Sequence, residues 1–135
     1  MYLNEVTYRV TYADVDQMGY MYYGNYAKLY EIGRTESIRA IGFPYKTMED
    51  HGIMMPVYEN YSKFLQPALY DDLLTIKVTI KENFTVKAIF FYEIFNQNKE
   101  LLHTGSTTLV FLKKENNKIV KAPNALINKL KEYIN

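Results

Sequence analysis

The sequence predicts an α+β fold, a mostly antiparallel sheet with one long helix near the start and a short helix at the end. Three observations carry this expectation. Between residues 24 and 41, Tyr26, Leu29, Tyr30, Gly33, Ser37, Ile38 and Ile41 recur at the spacing of one helix face. Elsewhere apolar residues alternate one by one, most cleanly at Leu74, Ile76, Val78 and Ile80, the period of a strand with one buried face. A short polar turn, Asn96-Gln97-Asn98-Lys99, joins two long apolar runs closely enough to make them antiparallel neighbours.

In chain order, Val6, Tyr8, Val10 and Tyr12 alternate with Glu5, Thr7, Arg9 and Thr11 and predict a first strand. It leads into an acidic turn and then into the long helix, which Gly42 closes. Lys28, Glu31, Glu36 and Arg39 fall mostly off the apolar stripe. Gly33 in mid-helix costs about 1 kcal/mol relative to Ala, a loss offset if the helix approaches a sheet closely at that point. Residues 43–52 are rich in turn formers, and residues 55–65 read as a strand with Pro56 at its start and Pro67 beyond its end. Residues 74–81, 85–95 and 101–113 supply the remaining strands, and the nearly continuous apolar run of 85–95 suits a central position. Asn124 is placed to cap a short helix with the stripe Leu126, Leu130, Tyr133 and Ile134.

A length of 135 residues predicts one domain, 1–135, with a proper core. An apolar content of 48% and a charged content of 23% are those of a soluble globular chain, and a net charge of +1 argues against a polyanion-binding surface. Nucleic acid is therefore not an expected partner. No apolar run reaches membrane-spanning length, and the first residues lack the basic and apolar regions of a signal peptide, so a cytoplasmic location is expected. The absence of cysteine removes disulfides, thiolate metal sites and a cysteine nucleophile together.

The most informative stretch is the acidic turn with the helix start that follows it: Tyr12-x-Asp14-x-Asp16-x-x-Gly19-x-x-Tyr22-Tyr23-x-x-Tyr26, running into Tyr30-Glu31-x-x-Arg34-Thr35-Glu36. A carboxylate in such a turn can serve as base or nucleophile, and a helix start offers unpaired N–H groups to a developing oxyanion. The same residue types also serve simply as turn and cap chemistry. A second block, Phe64-Leu65-Gln66-Pro67-Ala68-x-x-Asp71-Asp72-x-Leu74-x-Ile76, follows the helix.

Together these blocks resemble the signature of acyl-CoA thioesterases of the 4-hydroxybenzoyl-CoA thioesterase type, and the resemblance runs on through Gly105 to Ala122-Pro123. It implies the hot-dog fold, a curved sheet wrapped around one long helix, and hydrolysis of an acyl-CoA to free acid and coenzyme A. It maps the family's catalytic Asp onto Asp16, either as nucleophile toward the thioester carbonyl or as base for the attacking water. It places the Tyr23 main-chain N–H at the oxyanion, with Gly24 beside it; one such donor contributes about 3–4 kcal/mol of transition-state stabilisation. Many relatives carry His where this chain has Tyr23, so a His-assisted step is not expected here. The resemblance also implies a homodimer or homotetramer with active sites at subunit boundaries, and no cofactor.

Other residues carry less. Asp14 is expected to be structural, bonding turn amides or an Arg such as Arg34. Tyr12, Tyr22, Tyr26 and Tyr30 can line an acyl or aryl pocket or serve as ordinary core. Glu31 and Arg34 stand three apart on the helix, the spacing of an ion pair. His51 reads as a solvated turn residue and His103 as a core or surface residue of a strand; neither has the companions of a metal site. Lys63, Lys81, Lys87 and Lys113 are possible contacts for coenzyme A phosphates, though strand lysines commonly protect sheet edges. Gly105-Ser106-Thr107-Thr108 lacks the serine-hydrolase elbow, and no Gly-rich phosphate loop is present.

The competing functions are an acyl-carrier-protein thioesterase, a dehydratase of the same fold, and a non-catalytic acyl-CoA-binding module. A carrier-protein enzyme would need a basic docking patch, which a net charge of +1 disfavours. A dehydratase usually needs His in its acid–base pair, and neither His51 nor His103 lies in the motif.

Overall fold

The computed structural model describes residues 1–134. Helix α1 (Asn25–Ala40) packs against β1 (Tyr2–Arg9) and against the strand Leu73–Ile80. It is followed by α2 (Tyr45–Asp50), β2 (Ile53–Met54), β3 (Val57–Phe64), β4 (Leu73–Ile80), β5 (Lys87–Phe95), β6 (Leu101–Val110), β7 (Leu112–Lys113) and α3 (Asn124–Lys131). The five long strands form one sheet in the order β1-β4-β5-β6-β3, and every pairing is antiparallel. β2 and β7 form a separate two-stranded ribbon. No helix among the described residues is long and apolar enough to cross a membrane.

The alternation of β4 is realised in full. Leu74, Ile76, Val78 and Ile80 are all buried under α1, while Leu73, Thr75, Lys77 and Thr79 are half-buried on the other face. Leu29, Tyr30 and Ile38 of α1 meet them together with Phe90, Tyr92 and Ile94 of β5. Each fully buried side chain of this kind contributes roughly 1.5–3 kcal/mol. Gly33 faces the sheet as its mid-helix position implied: a Cβ there would lie 2.9 Å from Val78 Cγ2 and 3.2 Å from Ile76 Cγ2. Gly105 plays a similar part on β6, where a Cβ would meet the Tyr61 carbonyl at 2.8 Å and crowd the Tyr30 hydroxyl.

Several elements differ from the sequence reading. The first strand runs Tyr2–Arg9, and Tyr12 instead opens a 3₁₀ turn, Tyr12–Asp14, with its ring in solvent. The turn-rich stretch after α1 contains α2, whose single apolar anchor, Met48, gives too little pattern to announce a helix. The strand expected over 55–65 starts only after Pro56, as β3, with the short β2 an additional element ahead of it, and the last long strand breaks at Phe111 into β6 and β7. Pro56 has no N–H for a ladder, though its carbonyl accepts from Val110 at 3.1 Å. Asn124 does not cap α3: Pro123 holds the N-cap position, Asn124 is the first helical residue, and Tyr133 and Ile134 lie beyond the helix end.

Candidate active site

Asp16 organises the turn in which it sits. Its Oδ1 accepts from the amides of Met18 (2.9 Å) and Tyr20 (3.4 Å), and its own N–H donates to the Tyr20 carbonyl at 2.9 Å. Gly19 closes this loop at φ +79°, a conformation in which a side chain would be strained. The turn is the tip of a small hairpin bridged between Val15 and Met21. Tyr20 bridges to Leu69, and the Met21 N–H donates to the Ala68 carbonyl at 2.8 Å, so the turn is tied to the loop following β3. The half-buried Asp16 thus has one oxygen engaged by its turn, and no hydrogen bond among the described residues takes up Oδ2.

A crevice of about 300 Å³ opens beside it, lined by Asp16, Met18, Tyr20, Met21, Tyr23 and Tyr26 on one side. Phe64, Leu65, Gln66 and Pro67 form the opposite wall. A hollow of about 350 Å³ adjoins it and shares Tyr23, Tyr26 and Phe64, adding Gly24, Ala27, Asn60 and Ser62. The two hollows together place Asp16, the start of α1 and the edge strand β3 around one space.

At the helix start, the Tyr22 N–H donates to the Asp14 carbonyl, and the amides of Asn25 and Tyr26 donate to the carbonyls of Tyr22 and Tyr23. The amides of Tyr23 and Gly24 enter none of these turn bonds, the condition expected of the first N–H groups of a helix. Gly24 is the N-cap, and a Cβ on it would run into the Tyr22 ring 2.6 Å away.

Asp14 is buried and bonded locally. Its Oδ2 accepts from the Tyr8 hydroxyl (2.7 Å), the Thr11 N–H (2.9 Å) and the Thr11 hydroxyl (3.0 Å). Burial pushes its carboxyl up, but these hydrogen bonds, with Lys28 nearby, outweigh burial and hold it below the usual range. Of its two expected kinds of partner, the turn amide is engaged at Thr11, whereas Arg34 lies elsewhere, on the buried side of α1 near Tyr45 and Tyr92. The expected Glu31–Arg34 ion pair is likewise not formed, since Glu31 is exposed and Arg34 points into the fold; the helix pair among the described residues is Arg39–Glu36 at 3.3 Å.

Of the tyrosines named from the sequence, Tyr26 lines both hollows; Tyr12 and Tyr22 line neither. Tyr12 stacks on Tyr70 at 4.0 Å, and Tyr22 leans on Tyr23. Tyr30 lies flat on Tyr92 (4.1 Å, 4°), and its hydroxyl meets Ser62 Oγ at 2.8 Å and His103 Nε2. Burial drives the Tyr30 phenol up to about 12. His103 is fully buried and stacks on Tyr26 at 4.1 Å, and burial drives its imidazole down to about 4, so it is neutral at ordinary pH. His51 stays exposed in its turn, and no cluster of potential metal ligands exists among the described residues.

The crevice wall 64–67 and the His103–Tyr30–Ser62 chain escaped the sequence reading as site features. Only the second sequence block pointed toward the first; nothing local marks the second, because its members come from β6, α1 and β3.

Residues 10–130 match the thioesterase-like superfamily, and the chain belongs to it. A Bacillus subtilis (strain 168) protein named "Putative acyl-CoA thioesterase YneP" is 30% identical over 121 residues, covering 90% of this chain and 88% of its own. The crystal structure of a DHNA-CoA thioesterase from Staphylococcus aureus superposes with a TM-score of 0.93 at 29% identity, over 98% of this chain and 91% of that one. A 4-hydroxybenzoyl-CoA thioesterase solved with 4-hydroxybenzoyl-CoA shares the fold at a TM-score of 0.86 and 20% identity, over 96% and 99% of the two chains. The antiparallel sheet packed on α1 is the hot-dog fold of these enzymes.

Proposed function

We propose that this protein hydrolyses an acyl-CoA thioester to free acid and coenzyme A, with Asp16 as the carboxylate that attacks the thioester carbonyl or deprotonates the attacking water, and the Tyr23 and Gly24 amides as the oxyanion donors. The coarser statement, that the chain is a thioester hydrolase of the acyl-CoA thioesterase class, follows from its family and relatives. The finer one is supported by a single arrangement: Asp16 and Tyr23 line one crevice, with an uncommitted carboxylate oxygen on one side and uncommitted amides on the other.

In this reading the acyl group lies against Tyr26 and Phe64, with its carbonyl oxygen directed at the helix start. Developing negative charge meets fixed N–H dipoles that need no rearrangement, the setting in which such donors contribute most. Tyrosine rather than His at position 23 is no obstacle, because only its main chain is used. Tyr12 and Tyr22 contact the substrate in this reading only if coenzyme A extends over the outer surface of the turn.

The site as described is open on the side of the edge strand β3, whose residues are exposed at all positions but Ser62. Val57, Tyr58, Tyr61 and Phe64 put apolar surface on that edge. A second copy pairing there through a two-fold axis would close the hollow and bury this surface, the arrangement expected of an exposed apolar edge. We take the dimer as the active unit.

A panel of acyl-CoAs assayed for release of free thiol tests the proposal. Turnover with at least one acyl-CoA is expected. Tight binding across the panel with no thiol release would make the chain a binding module and end the hydrolytic reading.

A further inference from the structure

Helix α1 borders a second cavity, of about 410 Å³, at the far end of the same helix face. Its apolar walls are Met48, Ile53, Met54 and Met55. Its floor is Arg34, only 8% exposed, whose Nε is buried without an acceptor. The Tyr45 hydroxyl, on the same cavity, is also buried without a partner. Among the described residues no carboxylate lies within ion-pair distance of the Arg34 guanidinium; Glu31, Glu49 and Lys114 stand exposed around the opening. A buried guanidinium whose neighbours are the neutral Tyr45 and Tyr92 phenols, with no carboxylate in contact, is costly, and a carboxylate entering the cavity would relieve that cost.

The cavity is in line with the candidate active site. Gly24, Ala27, Glu31 and Arg34 follow one another at spacings of three and four, so they form one strip along α1. Gly24 and Ala27 border the hollow beside Asp16, while Glu31 and Arg34 border the second cavity. Opposite them, Asn60, Ser62 and Phe64 of β3 border the first, and Ile53, Met54 and Met55, just before β3, border the second. Ten residues of helix separate Gly24 from Arg34, about 15 Å at 1.5 Å per residue, the scale of a medium-chain acyl group.

We propose that the Arg34 cavity receives the distal end of the acyl group, and that the preferred substrates carry a carboxylate there: ω-carboxyacyl-CoA thioesters. The inference rests on the reading that the thioester sits between Asp16 and the start of α1. A terminal carboxylate would take up the Arg34 guanidinium in charge-assisted hydrogen bonds and accept from the Tyr45 hydroxyl. The three methionines, unbranched and adaptable, suit an alkyl chain approaching along the strip. An unsubstituted acyl chain of the same length would bury a methyl group against an unpaired cation.

The test compares kcat/KM for thiol release by the full chain on two matched series, hexanoyl- to dodecanoyl-CoA and adipoyl- to dodecanedioyl-CoA. The ω-carboxy member should be favoured by about tenfold or more at the longer lengths, with the preference fading as the chain becomes too short to reach. Arg34→Met should collapse the ratio between the series, and Arg34→Lys should retain part of it. If Arg34→Met does not fold, the wild-type comparison still decides. Turnover of both series without a ω-carboxy preference at any length overturns the inference and leaves the hydrolytic reading standing. Failure to hydrolyse any member sinks both. Inhibition by free dodecanoate that depends on Arg34, with both series hydrolysed equally, would assign the cavity to a separate carboxylic acid and also overturn the inference.

Discussion

The main-chain N–H of Met21 donates to the carbonyl of Ala68 at 2.8 Å, and this bond joins the two parts of the chain that surround the candidate site. Met21 ends the hairpin carrying Asp16, and Ala68 lies in the loop that continues the wall formed by residues 64–67. Both residues are buried, so the link is protected from water. The position of Asp16 relative to Phe64 is therefore set by backbone pairing, which a side-chain substitution at Asp16 does not remove.

That independence makes Asp16→Asn a clean probe. The amide oxygen can still accept from the Met18 N–H, so melting temperature should change little, whereas loss of the charge should lower kcat by roughly two orders of magnitude or more. Asp14→Asn should do the reverse. It weakens three hydrogen bonds to a buried carboxylate and should cost about 1–3 kcal/mol in denaturant unfolding, with a smaller loss of turnover. Near-wild-type hydrolysis by folded Asp16→Asn would exclude the proposed mechanism.

Stability should depend on pH through two buried groups of opposite type. Asp14 is held below its unfolded value, so its contribution is complete above about pH 4 and is lost as pH falls through the lower folded value. His103 titrates at about 4 when folded against about 6.5 when unfolded. Between those values the unfolded chain binds more protons, so stability should fall as pH drops from about 6.5 to about 4. Melting curves of His103→Phe should lack that decline, and those of Asp14→Asn should lack the one at lower pH. Parallel pH profiles for wild type and His103→Phe would contradict the assignment.

Gly33→Ala places a methyl group against Val78 and Ile76, at distances of 2.9 and 3.2 Å before relaxation. Ala is the better helix former by about 1 kcal/mol, yet overpacking typically costs about 1–3 kcal/mol. A net loss of stability in urea unfolding is expected. A stabilised variant would mean that α1 can lift from β4 without loss.

The edge strand should mediate assembly. Light scattering is expected to give a dimer or a tetramer built from it, and Tyr61→Lys, which places charge on β3, should shift the equilibrium toward monomer and reduce turnover with it. Fully active enzyme that is monomeric at micromolar concentration would rule out a shared site.

Local pattern was enough for the elements whose residues answer to one periodic environment. The alternation in β4 and the stripe of α1 were legible because one face of each meets the same core along its whole length. Asp16, Tyr23 and Gly24 could be singled out as candidates because a turn and the helix start next to it lie within a few residues of each other, and the resemblance to a known family supplied the roles proposed for them. Elements set by distant contacts were not legible. Tyr12 has the right parity for a buried strand residue, but the strand ends at Arg9 because β4 begins opposite it at Leu73, and the ring turns out to stack on Tyr70. Arg34 has the spacing of an ion pair with Glu31, but packing of α1 on the sheet buries one and leaves the other in solvent. The crevice between Asp16 and the wall 64–67, the chain from His103 through Tyr30 to Ser62 and the cavity over Arg34 each bring together residues tens of positions apart. The sequence by itself determined the fold class and the acidic turn, since periodicity and turn chemistry act over a few neighbouring residues. Only the tertiary structure decided which side chains share a cavity, because that depends on strand order and on where the helix lies against the sheet.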